Sequence, residues 1–194
     1  MTFKDDIAYL RSIRVFIGIS VLIFAVTVVM GYYAAQYNSD LAASMLKEFE
    51  MLKWITQLPL PLLMVVIFLK NLLSCVMSVL LGLGMAIVPL IVDTSNGFLL
   101  GVVLYNVLQN EGILYFLAGV VPHGVIELPT VLMSIGIGFR LGYLLALMFF
   151  GEKANLSQEI RIAIHFLVRW VAPLLLLAAA IETFITPIII SVVK

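Results

Sequence analysis

Between Trp54 and Gly151 the chain carries only five charged side chains, Lys70, Asp93, Glu111, Glu127 and Arg140. No helix in that stretch has enough polar material for a solvated face, so its surroundings have to be lipid. The rest of the chain agrees. It is 63% hydrophobic and 11% charged, whereas soluble domains are roughly 45–50% apolar, and its mean hydropathy is +1.19. The formal net charge is +0 and no dense basic cluster occurs, which argues against a nucleic-acid partner. The single Cys75 excludes an internal disulfide and reads as a small packing residue.

Individual spans follow from the lengths of the uncharged runs. Val15 to Ser39 holds 25 residues without charge behind the segment MTFKDDIAYLRSIR. A secretory h-region has roughly 7–15 residues, so this run predicts an uncleaved spanning helix over 15–37, with Tyr32, Tyr33 and Tyr37 at its far interface. Ser39 to Gln57 is the most polar stretch, and its Leu41, Met45, Phe49 and Leu52 recur at helical spacing. It predicts an amphipathic surface helix over 39–57.

The prolines of LPLPLLMVVIFLK predict a half-helix or shallow entry into a second span, 71–92, with Ser74, Ser78, Gly82 and Gly84 available for close helix packing. Asp93 to Gly97 reads as a turn on the strength of Asn96-Gly97. A third span is expected at 95–120. A helix break beside Pro122 follows, because Gly112 to Val121 is too short to cross and proline suits a first helical turn. The fourth span is then 123–150, with Gly138 and Gly142 as a packing face, and the fifth 170–193. Ahead of the fifth, Ile160, Ile164, Leu167 and Val171 form an apolar stripe beside which His165 sits as an interfacial or packed residue. The expected fold is all-α: a polytopic membrane helix bundle of about five transmembrane helices, with broken or re-entrant segments and a surface amphipathic helix, in one transmembrane domain.

Basic residues set the orientation. Lys4, Arg11 and Arg14 flank the first span, and Lys153, Arg161 and Arg169 the entry to the last. Placing both groups in the cytoplasm requires an even number of crossings between them, which four spans satisfy, so the N-terminus is expected in the cytoplasm of a cell membrane.

Lys70, Glu127, Arg140 and Glu182 fall at membrane depth. An ionisable group there costs roughly 2.5–3.5 kcal/mol on insertion scales, so such groups normally pair or line a wet cavity. In PHGVIELPT, His123 and Glu127 stand at i and i+4 on one helix face. They can orient one another's proton, bracket a water or contribute to a metal site with Glu182 as third ligand. HExxH is absent, so the zincin mechanism has no sequence support. Arg140 and Glu182 are the expected partners of the pair, and Lys70 the cation for Glu127 or Glu182.

The blocks KNLLSCVMSVLLGLG, TSNGFLLG, GVVPHGVIELPTVLMSIGIGFRLGY and PLLLLAAAIETFITP resemble the stage II sporulation protein M family of prokaryotic multipass membrane proteins, over roughly Ile67 to Pro187. Carried over by position, the family's motif falls on Asn71, Asn96, Gly97, Pro122, His123, Gly124, Glu127, Pro129, Gly138, Arg140, Gly142, Glu182 and Pro187. Lys70 departs from it, standing where an asparagine is expected. The resemblance implies a membrane platform: in spore formers the namesake works with peptidoglycan-cleaving partners. Three classes of function remain open. The expected one is a scaffold or assembly subunit for other membrane proteins, compatible with a homodimer; the alternative is a transporter or channel-like permease with a midplane site, and after it an intramembrane metal-dependent hydrolase built on His123, Glu127 and Glu182. No organic cofactor motif is present.

Overall fold

A computed structural model of the chain describes residues 2–38, 40, 43–45, 47, 57–84 and 86–193. The expected surface helix over 39–57 lies mostly outside the described residues. The described residues form helices and connections, without strands.

Helix α1, Phe3–Tyr37, starts at a capping box in which Thr2 Oγ1 accepts from the Asp5 amide at 3.4 Å and the Asp5 carboxylate accepts from Thr2 N at 2.6 Å. Its 35 residues measure about 52 Å, longer than the roughly 30 Å hydrocarbon core, so the Lys4–Arg14 end projects beyond it. Helix α2, Leu60–Leu80, has Pro61 in its first turn, where the missing amide proton is harmless. Helices α3, Ile87–Asn110, and α4, Ile113–Phe149, are joined through Glu111-Gly112, with Gly112 at φ 88°. The last helical stretch, Leu156–Val193, comprises α5 (Leu156–Phe166), α6 (Ala172–Ala180) and α7 (Thr186–Val193), linked by π turns at Leu167–Val171 and Ile181–Ile185. Among the described residues, five stretches are thus long and apolar enough to cross a membrane.

Helix α4 is the axis of the bundle. Half of its most apolar window is buried, against 11% for α1, whose Val15, Leu22, Val26 and Met30 face outward as lipid-facing residues should. Around α4 a core of Ile13, Cys75, Val79, Ile137, Leu141, Phe166, Val171 and Leu175 joins α1, α2, α4, α5 and α6. Between α1 and α3, the largest helix pairing, glycine brings backbones into contact. A Cβ on Gly97 would stand 2.7 Å from the Phe24 carbonyl oxygen, and one on Gly101 2.7 Å from the Tyr32 nitrogen. Gly138 and Gly142 likewise admit Ser78 and Gly82 of the α2 end, as their spacing predicted.

Several expected boundaries differ. Leu58 to Lys70 is no half-helix: α2 passes unbroken through Lys70-Asn71. Asn96-Gly97 is no turn but the middle of α3, because Gly97 is used for contact with α1 and the Asn96 amide returns to the Val92 carbonyl at 2.9 Å. The break at Pro122 does not occur either. Pro122 and Pro129 are both interior to α4, whose neighbours hold it helical, as packed membrane helices do around proline. The chain reverses ten residues earlier, at Gly112, whose positive φ suits glycine.

Pro173 and Pro187 do leave a mark. Each follows a five-residue π turn by two residues, so the helix widens where the ring would clash with the carbonyl four residues back.

Candidate functional site

Lys70 and Asn71 lie at the middle of α2, Asn96 in the middle of α3, and His123 and Glu127 one turn apart on α4. All five line one cavity of about 740 Å³, whose other walls are mainly Leu, Val and Met side chains with Phe24 from α1. Glu182, in the second π turn, approaches the same point from the last helical stretch. One ligand atom from each of His123, Glu127 and Glu182 lies within 4.8 Å of the others.

The partners around this triad come from two helices, α2 and α7. The Asn71 amide stands within hydrogen-bonding reach of Glu127, and Lys70 is within electrostatic range of both Glu127 and Glu182. His123 Nδ1 is 3.4 Å from Thr186 Oγ1. Thr186 donates to the Ile181 carbonyl five residues back, at 3.3 Å, a contact that the π turn sets up. A hydroxyl has one proton. With that proton on Ile181, Thr186 accepts from Nδ1–H, and Nε2 carries the imidazole lone pair. Glu127 Oε2 is buried with no hydrogen-bond partner.

The structure thus brings together His123, Glu127, Glu182, Lys70, Asn71 and Asn96 and separates two other expected residues from them. Arg140 is thirteen residues beyond Glu127 on one helix, about 20 Å along the axis. Its Nε lies 3.3 Å from Glu159 Oε1 on α5, and its guanidinium stands 5.9 Å from the Phe16 ring centre. Gly97 faces α1 rather than the cavity.

A second polar cluster therefore exists at the other end of α4, where Tyr9 of α1 is within hydrogen-bonding reach of Glu159. Beside it Asp6 is held by Arg169 at 3.3 Å and by the Trp170 indole N–H at 3.1 Å. The first and last spans are tied together there.

Neither Glu159 nor Asp93 was marked out by the sequence. Glu159 had no usable signal: it stands three residues after the start of α5 and Arg140 nine residues before the end of α4, so sequence spacing does not pair them. Asp93 had none either, because it was read as part of a turn. In the structure its side chain is fully buried, and both carboxylate oxygens, like the Ser20 hydroxyl near them, lack a partner of hydrogen-bond geometry.

A family model described as Stage II sporulation protein M matches residues 20–187. No curated protein and no solved structure matches the chain.

Proposed function

The chain belongs to the stage II sporulation protein M family, and from its geometry we propose that it is a permease-like membrane subunit whose polar chamber takes up a small ion or hydrophilic solute. One observation carries this reading: Lys70, Asn71, Asn96, His123 and Glu127 converge from three helices on a single 740 Å³ cavity. Groups kept only to fix helix register would meet an opposite charge directly, as Arg140 meets Glu159 at 3.3 Å. These instead line open space, and the protein leaves Glu127 Oε2 without a partner. Midplane sites of transporters have the same character, with polar groups gathered where helices are irregular, and here Glu182 lies inside a π turn.

The test is uptake. Purified protein in sealed liposomes is expected to pass monovalent cations, divalent metals or small polar solutes, and Glu127→Gln to lower that flux at least about tenfold while folding normally. Absence of flux across all three classes overturns the reading.

A scaffold role is the second reading. It is favoured by the Asp6–Arg169 and Arg140–Glu159 pairs, which lock α1, α4 and the last helical stretch into a rigid end suited to holding partner proteins or a second copy. In both readings the N-terminus faces the cytoplasm of the cell membrane, where positive charge is retained.

A further inference from the structure

We propose that His123, Glu127 and Glu182 form a binding site for one divalent transition-metal ion, zinc or a close relative, at the wall of the chamber. The proposal rests on the chamber reading and names what its innermost point binds. Three donor atoms within 4.8 Å of one another already approximate a site. Zinc bonds of about 2.0–2.2 Å place tetrahedral ligands about 3.3 Å apart. Side-chain rotations that move each atom by about an ångström close the difference.

The donors also have the right chemistry. One imidazole nitrogen and two carboxylates form a borderline set that suits zinc, manganese or ferrous iron better than calcium, which prefers six to eight oxygens. Two carboxylates this close in a medium of low dielectric repel when both are ionised, and Lys70 neutralises only one of them. A dication at their midpoint removes the repulsion and occupies the unpartnered Glu127 Oε2.

The surrounding groups are arranged as metal sites require. A ligating imidazole normally gives its other N–H to an oxygen, which fixes the tautomer and ring orientation. Thr186 holds Nδ1 in that way. Asn71 is within reach of Glu127, orienting the carboxylate. Three protein ligands leave a fourth position for water or solute from the cavity, the arrangement of an open rather than a structural site. Glu182 and Thr186, four residues apart, share the helix face that meets His123.

The chain has two histidines, which supplies an internal control. Protein purified in mild detergent without chelator is titrated with Zn²⁺ by calorimetry, with metal content measured by elemental analysis. One equivalent is expected, with a zinc-dependent rise in Tm that chelator reverses. His123→Gln and Glu182→Gln should each weaken zinc binding ~10–100-fold, and His165→Gln should leave it unchanged. If a variant does not fold, the wild-type protein loaded with Co²⁺ still decides, since a four- or five-coordinate nitrogen–oxygen site gives visible bands far more intense than, and shifted from, the weak absorption of octahedral aqueous Co²⁺. Undiminished zinc binding in His123→Gln, or no saturable binding in the wild type, overturns the site. Zinc bound without any flux supports the site and overturns only the permease reading; flux without zinc binding overturns the site alone.

Discussion

Arg140 and Glu182 differ only in distance from Glu127, and that difference decides which of them belongs to the site. Glu182 comes from another helix and meets Glu127 side by side. Arg140 shares a helix with it and is held about 20 Å away by the helical rise. That rise was available to sequence reasoning, so the expected Arg140 pairing was avoidable; Glu159 was hidden because its distance from the α4–α5 connection does not match that of Arg140. The pair is partly exposed, with side chains 26% and 13% accessible, so its worth lies between that of a surface bridge and that of a buried one. Arg140→Glu should therefore cost about 2 kcal/mol by thermal unfolding in detergent. The double variant Arg140→Glu with Glu159→Arg should recover most of that loss. Equal loss in the single and double variants would mean that the two charges do not act as a pair.

At the level of helices, hydropathy made five spans legible, while Asn96-Gly97 and Pro122 were misread as punctuation. Asn96-Gly97 is a strong turn signal in water, where chain reversal is the usual demand on glycine. In a bilayer helices gain little from hydrophobic association and need close backbone approach instead. Gly97 meets that demand, and periodicity alone could not reveal it because the partner, Phe24 to Thr27, is seventy residues away. The same logic kept α4 intact through Pro122 and Pro129, whereas Pro173 and Pro187 widened the helix without ending it. Gly97→Ala is expected to cost about 3 kcal/mol or more, since backbone of α1 has to retreat. Gly18→Ala, on the same α1 but with nothing within 4 Å, should be neutral or stabilising by about 0.5–1 kcal/mol. Comparable changes in thermal stability for the two would show that the α1–α3 seam does not set the cost.

Across the whole molecule, the close contacts fix helix directions without reference to charge. Gly97 meets Phe24 and Gly101 meets Val28, so α3 runs parallel to α1; Gly138 meets Ser78 and Gly142 meets Gly82, so α4 runs parallel to α2. His123 meets Thr186 while Gly119 meets Ile190, so α7 is antiparallel to α4. Together with the short reversals before α3, α4 and α5, this describes five alternating crossings and puts the two ends of the chain on opposite sides. Lys4 and Glu152 then share one side, and Glu111 and Val192 the other. In a chain carrying Cys75→Ala, single cysteines at positions 4 and 152 should react with a membrane-impermeant thiol reagent from one side only. Cysteines at 111 and 192 should react only from the other. Labelling of positions 4 and 192 from the same side would remove one crossing and, with it, the approach of Glu182 to Glu127 on which the chamber depends.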